Sequence, residues 1–216
     1  MGGMPFRDRV DAGQRLAASL RSTLDRDAEA DALVVLGLPR GGVPVAYEIA
    51  HELGSSLDVI LVRKLGVPSQ PELAMGAIGE DGVRVVNDAI MRAAHVSEEV
   101  LEAIVARERA ELERRATRIR AVHPRVSLHH RIAVIVDDGI ATGATMRAAC
   151  EVARAEGAAR VVASSPVAPP ITVTELRQVA DAVVVTETPS RFRAIGEFYV
   201  DFSATTEGEV LRLLQR

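Results

Sequence analysis

The sequence predicts an α/β fold: a three-layer, mainly parallel sheet flanked by helices, with a small hood subdomain over one edge. Short apolar runs alternate with helix-patterned segments, which calls for parallel strands joined by helical crossovers. Aromatic residues make up only 3% of the chain against 48% hydrophobic residues, so Val, Leu, Ile and Ala must build the core. Strands of that composition suit a sheet covered on both faces. The run Val134–Val136 ends in two adjacent carboxylates and a small-residue loop, and open α/β sheets bind ligands at such strand ends.

The elements follow in order. Val10, Leu16, Ala17 and Leu20 give residues 8–24 one apolar helical face. Leu33–Leu38 is a strand closed by Pro39-Arg40-Gly41-Gly42, and a helix follows from about Val43 to Leu53 with Gly54 as its stop. Asp58–Val62 reads as a second strand. Residues 63–76 carry two prolines, two glycines and no clean period, so a flexible loop is expected there. Short strands at 77–78 and 83–86 flank a turn at Glu80-Asp81-Gly82. Ser97 caps a long, charge-laced helix to about Ala121, whose docking stripe is Val100, Leu101, Ile104, Val105, Leu112 and Ile119. Beyond the strand at 134–136 come a helix at 145–156, a strand at 160–167, a helix near 172–179, a strand at 182–186 and a closing helix around 211–214. Residues 188–205 are irregular and hold Phe192, Phe198, Tyr199 and Phe202, four of the six aromatics, which marks them as the hood.

At 216 residues, with no internal repeat, one domain over 1–216 is expected. A net charge of −4 and a pI near 5.8 argue against a nucleic-acid partner. The N-terminus lacks an apolar signal core, and no stretch approaches the ~18 apolar residues of a membrane span. No membrane partner and a cytoplasmic location follow as expectations. Cys150 is the single cysteine, which rules out an internal disulfide and reads as a small buried hydrophobe.

The chemistry lies in Val134-Ile135-Val136-Asp137-Asp138-Gly139-Ile140-Ala141-Thr142-Gly143-Ala144-Thr145. Gly139, Ala141, Gly143 and Ala144 leave backbone N–H groups uncovered beside a helix N-terminus, where an anion can sit. Thr142 and Thr145 add hydroxyl donors. Asp137 and Asp138 would repel a bare phosphate, but they suit a ligand with hydroxyl donors, or a bound cation. A ribose 5-phosphate satisfies both halves. Pro39-Arg40-Gly41-Gly42 forms a second candidate cradle, with Arg40 as a forked cation. His51, His95, His123, His129 and His130 lack zinc-type spacing.

The 134–145 stretch resembles the phosphoribosyl diphosphate (PRPP) signature of type I phosphoribosyltransferases, and the resemblance extends in order over about residues 32–187. It implies that the 5-phosphate sits on Gly139–Thr145, the diphosphate near Arg40–Gly42, and the ribose hydroxyls against Asp137 and Asp138. It places a non-proline cis peptide bond at Pro39–Arg40. Mg²⁺ is the expected cofactor, held largely by ligand oxygens and water, with Asp137 and Asp138 as the chain's own candidates. Residues 63–68 look like the start of the catalytic loop of adenine phosphoribosyltransferases. Lys64 is therefore a candidate catalytic cation beside Arg40, with Arg63 next to it and Glu72 further along as an acid or base. The hood of such enzymes stacks on the acceptor base, which singles out Phe192 and Tyr199.

In the 6-oxopurine transferases an Asp stands directly before the Thr-Gly of the motif, where this chain has Ala141. The loop is therefore more similar to adenine, uracil or regulatory members, and guanine or hypoxanthine is a poor fit. The helix at 97–121 is an insertion relative to the smallest members. The function implied is Mg²⁺-dependent transfer of a phosphoribosyl group from PRPP to a small-molecule nitrogen acceptor, releasing pyrophosphate. The alternative is a non-catalytic PRPP- or nucleotide-sensing regulator. A diphosphokinase that makes PRPP would need an ATP-binding element, and none is visible. A homodimer is a family-level expectation.

Overall fold

The central strands, Leu33–Gly37 and Ile132–Val136, read as unbroken apolar runs because helices cover both faces of the sheet. The computed structural model describes residues 4–24 and 32–216, with Glu72 described by its backbone alone. In chain order these residues form α1 (Arg9–Thr23), β1 (Leu33–Gly37), α2 (Gly42–Leu53), β2 (Ser56–Val59), β3 (Arg63–Val67), β4 (Gln70–Ile78), β5 (Arg84–Val86) and α3 (Asp88–Ala93). There follow α4 (Glu98–Arg120), β6 (Ile132–Val136), α5 (Ala144–Ala155), β7 (Arg160–Val167), α6 (Pro170–Leu176), β8 (Ala182–Glu187) and α7 (Glu207–Leu214). Five strands pair in parallel in the order β2-β1-β6-β7-β8, and β3-β4-β5 form a separate antiparallel sheet.

Strand alternation divides the core. Val34 and Leu36 of β1, with Ala133 and Ile135 of β6, pack with Met146, Ala149, Cys150 and Ala153 of α5. Their neighbours Leu33, Val35, Val134 and Val136 pack with Leu16 and Leu20 of α1 and with Val45 and Ile49 of α2. Each large aliphatic side chain so buried contributes about 1.5–3 kcal/mol relative to exposure. Cys150 is buried in the first group, as its sequence position implied.

Local signals set the helix ends. The Asp8 carboxylate accepts from the Asp11 N–H at 2.8 Å at the start of α1, and the Ser97 hydroxyl accepts from Val100 at 3.4 Å at the start of α4. Gly54 ends α2 in the left-handed region at φ 66°, where glycine carries no Cβ penalty.

The structure departs from expectation in several places, beginning with the second strand, which was expected at Asp58–Val62 and runs over Ser56–Val59. Residues 63–76, expected as a flexible loop, form the β3–β4 hairpin instead, with register shifts on both sides of Gly66. Leu65, Val67 and Met75 are buried and supply its core face. The prolines and glycines that suggested a loop are accommodated locally. Pro71 lies in the part of β4 that β5 does not reach, and a Cβ on Gly66 would lie 2.6 Å from the Pro71 carbonyl oxygen. Helix α3, capped by Asn87, has no counterpart in the sequence-based expectation. The hood is built from both ends of the described chain. Phe6 pairs in parallel with Tyr199, its N–H donates to the Phe198 carbonyl at 2.8 Å, and the Val200 N–H donates back to Phe6 at 2.8 Å.

Helix α4 closes over the small sheet. Leu101, Val105, Leu112 and Ile119 pack with Leu65, Val67 and Met75 and with Val210 and Leu214 of α7. Val100, expected in this stripe, is 42% exposed. The carboxyl end of α4 is tied down by Arg120, whose guanidinium donates to Glu80 at 2.8 and 2.7 Å and to Asp58 at 2.7 Å. Both acceptors are buried, so the fork satisfies charges that would otherwise be costly.

Candidate active site

Two loops leave the carboxyl ends of the adjacent strands β1 and β6 and press against each other. Gly37 and Val136 are register partners at the ends of these strands, and the Leu38 N–H continues the ladder to the Val136 carbonyl at 2.8 Å. The Pro39–Arg40 peptide bond is cis, at the position the family resemblance indicated. A Cβ on Gly42 would lie 2.4 Å from the Val136 carbonyl oxygen, and one on Gly41 would lie 2.0 Å from Oδ2 of Asp138. The glycine pair is therefore needed for loop-to-loop contact, a task the sequence alone assigns wholly to ligand binding.

The two carboxylates, alike in sequence, have different surroundings. Asp138 is buried, and its Oδ2 accepts from Nε of Arg9 at 2.8 Å and from Nη2 at 2.7 Å. Arg9 also donates to the Ser203 carbonyl at 2.6 Å and lies over the Phe202 ring, 4.2 Å from its centre. Asp137 makes no ion pair among the described residues; its Oδ1 accepts from the Asp138 N–H at 2.9 Å. Part of Asp137 still meets solvent, but its carboxyl lies deep in the loop junction. Burial first, and then the neighbouring Asp138 charge, push its pKa well above the usual carboxylate range.

The loop from Gly139 to Thr145 has the donors an anion needs. The N–H groups of Gly139, Ala141, Thr142, Gly143 and Thr145 have no partner among the described residues. They gather at the N-terminus of α5, which Gly143 enters at φ 75°. Thr142 and Thr145 are exposed, and the Ala144 N–H approaches the Thr142 hydroxyl at 3.5 Å. Below the loop, the Thr172 hydroxyl donates to the Ala141 carbonyl at 2.7 Å. Gly139 also serves packing: a Cβ there would meet Ile195 of the hood at 2.2 Å.

A cavity of about 870 Å³ runs beside these loops. Leu38 and Pro39 line it from the first loop, Thr145 from the second, Ile60–Lys64 from the β2–β3 connection, and Ile104, Arg107 and Glu108 from α4. Lys64 thus shares one cavity with both cradles. Arg63 is turned toward α4, where its Nε donates to Glu108 at 2.8 Å. Burial alone would raise the Glu108 pKa, but the hydrogen bonds from Arg63 and Arg107 outweigh it and hold the group below the ordinary value. The side chain of Glu72 lies outside the described residues.

The aromatic candidates of the hood are placed differently from each other. Tyr199 is buried between Phe6 and Phe202, with ring centres 5.3 and 4.9 Å away, and its hydroxyl donates to the Asp138 carbonyl at 2.5 Å. Its ring has no open face for a base, because its apolar body completes the hood core while its polar tip steadies the acidic loop. Phe192 is half-buried and stacked on Phe198 at 5.5 Å.

Among the described residues no group of three or more His, Cys, Asp or Glu side chains is arranged to hold a metal ion. Asp137 is the uncompensated carboxylate of the site, so a divalent cation here would take most of its ligands from substrate oxygens and water. Sequence reading missed Arg9, which lies 129 positions from its partner and carries no local motif. It also missed the α4 wall of the cavity, which includes Arg107 and Arg115. No helix among the described residues is long and apolar enough to cross a membrane.

Residues 7–203 match the family model described as the phosphoribosyl transferase domain. A Mycobacterium tuberculosis H37Rv protein, provisionally named a phosphoribosyl transferase, is 52% identical over 211 residues, covering 98% of this chain and 46% of that protein. A protein of the same provisional name from strain CDC 1551 matches to the same extent. The chain thus spans about half the length of the curated relatives it matches. The crystal structure of TT1426 from Thermus thermophilus superposes with a TM-score of 0.91 at 46% identity, covering 98% of each chain.

Proposed function

Because the chain belongs to the phosphoribosyl transferase domain family, we propose that it transfers the 5-phosphoribosyl group of PRPP to a nitrogen acceptor, releasing pyrophosphate with Mg²⁺ as cofactor. The observation that carries this reading is the pair of facing loops at Leu38–Gly42 and Asp137–Thr145, set beside a cavity that also reaches Lys64. One loop offers free N–H groups and two hydroxyls for a terminal phosphate. The other offers the Arg40 guanidinium for a diphosphate. A sugar would lie between them, against Asp137.

In the reaction the bond from the anomeric carbon to the diphosphate oxygen breaks, and a bond to the acceptor nitrogen forms. The acceptor's N–H proton leaves to solvent or to a base, and the electron pair of the broken bond departs with pyrophosphate. Asp137 accepts hydrogen bonds from the ribose hydroxyls and offsets the positive charge that builds on the ring. Asp138, already neutralised by Arg9, holds the acidic loop in shape and keeps Oδ1 available for a second hydroxyl. Arg40 and Lys64 stabilise negative charge on the departing diphosphate. Bound Mg²⁺ would neutralise diphosphate charge, and Asp137 and Asp138 are the chain's own candidates to help hold it. Catalysis of this kind rests on positioning and electrostatics.

The deciding experiment is pyrophosphate release from PRPP with Mg²⁺ across purine, pyrimidine and pyridine acceptors. Turnover with at least one acceptor is expected, with 6-oxopurines poor because Ala141 replaces the motif's Asp. PRPP binding without turnover on any acceptor would instead establish the sensing role.

A further inference from the structure

On the far side of the Pro39–Arg40 turn lies a second cavity, of about 490 Å³. Arg40, Arg114, Arg115 and Arg118 line it against a single lining carboxylate, Glu207, with Leu61, Ile119 and Val210 as its apolar floor. This concentration of cation stands in a chain whose net charge is −4.

The charges there are incompletely compensated. Arg114 and Arg115 share one carboxylate, Glu111, at 2.9 Å each, and Arg118 holds Glu207 at 3.0 Å. Arg40 is exposed and makes no ion pair among the described residues. Arg114, Arg115 and Arg118 fall on one side of α4, and the apolar stripe of the same helix is locked into the core. The guanidiniums are therefore presented by a rigid element. Pro39, Leu61 and Arg115 line both cavities, so the two are neighbours with these residues between them.

We infer that this arginine-lined cavity is a second anion site, built to receive an oligophosphate group distinct from the phosphates of the ribosyl donor. Guanidinium forks match phosphoryl oxygens in pairs, and several forks around a half-enclosed space with an apolar floor select a compact, multiply charged ligand over a single carboxylate. Arg40 stands at the boundary between the two sites. An oligophosphate held here draws Arg40 toward α4, so its occupancy competes with diphosphate binding on the Pro39–Gly42 loop. The inference goes beyond the transferase reading and stands or falls separately from it.

The test is calorimetric titration of the full chain with inorganic tripolyphosphate in Mg²⁺-free buffer, alongside PRPP binding with Mg²⁺. The variant Arg114→Ser/Arg118→Ser removes two half-exposed guanidiniums. It should weaken tripolyphosphate binding roughly tenfold or more, about 1.4 kcal/mol, through loss of two guanidinium forks. PRPP affinity should stay within about twofold of the parent. The control Arg92→Ser/Arg109→Ser removes two exposed arginines outside the cavity and should leave both ligands unaffected. Unchanged tripolyphosphate binding in the cavity variant, or an equal fall in the control, would overturn the second site. A fall in PRPP binding alone would do the same. If Asp137→Asn leaves PRPP binding intact while the cavity variant behaves as expected, the donor reading fails and the anion site survives.

Discussion

Arg9 closes on a single carboxylate oxygen of Asp138 through two nitrogens, at 2.8 and 2.7 Å, from the opposite end of the chain. Both side chains are only about one-eighth exposed, so water competes weakly for either charge. Removing Arg9 leaves the carboxylate buried without its cation. We expect Arg9→Ala to cost about 3 kcal/mol of stability, at the lower end of the range for breaking a buried pair. Denaturant unfolding measures it, and the companion Arg9→Met/Asp138→Asn should recover most of the loss. A cost below about 1 kcal/mol would show that the pair is solvated.

Asp137 gives the opposite result. Its carboxyl binds a proton more tightly in the folded chain than in the unfolded one, because burial and the Asp138 charge both disfavour ionisation. Native stability attributable to this group therefore declines as pH rises from the unfolded carboxylate value, about 3.9, through the raised native value. At neutral pH Asp137→Asn should raise Tm while weakening PRPP binding by roughly tenfold through loss of a carboxyl oxygen that accepts from the ligand. Thermal melts of both proteins from pH 4 to 8 should show the Tm advantage of the variant growing with pH. A variant that melts lower at every pH would contradict this assignment.

Lys64 and both cradles line the same cavity, so its charge is expected to act on the leaving group more than on substrate capture. Lys64→Ala should lower kcat by roughly a hundredfold with little change in KM, the pattern of an interaction made chiefly in the transition state. Steady-state pyrophosphate release gives both constants. A rise in KM at constant kcat would assign Lys64 to ground-state binding instead.

Cys150 faces the core from α5, where burial pushes its thiol pKa up to about 12. Thiolate is the reactive form, so the native chain should resist thiol-specific reagents at pH 8 and react with one equivalent only after denaturation. Rapid labelling of the folded protein would mean that α5 opens readily.

The sheet was legible because its central strands obey one demand, burial on both faces, which writes an apolar run at β1 and at β6. The cradles were legible because backbone donors at a strand end require small residues in sequence. The hairpin at 63–78 was not, since its pairing depends on a bulge at Gly66 that tolerates Pro71, and both residues locally signal a loop. The distinct roles of Asp137 and Asp138 were equally hidden. They are adjacent in sequence, and only the arrival of Arg9 and Tyr199 from distant segments separates them. Tyr199 reads as an exposed stacking ring because its irregular neighbourhood has no periodicity from which to infer burial.

The closure of the hood by both chain ends also orders events in time. Phe6 must meet Phe198–Val200, and Arg9 must reach Asp138, before the acidic loop takes its final shape. Contacts of such sequence separation carry a large loop-closure entropy and tend to form after the nucleus. A chain emerging from synthesis would build most of its sheet while Phe6 still waits for Phe198–Val200. Arg9→Ala should accordingly leave the refolding rate nearly unchanged and speed unfolding, a φ-value near zero. The acidic loop is then the last part of the molecule to mature and the first to come apart.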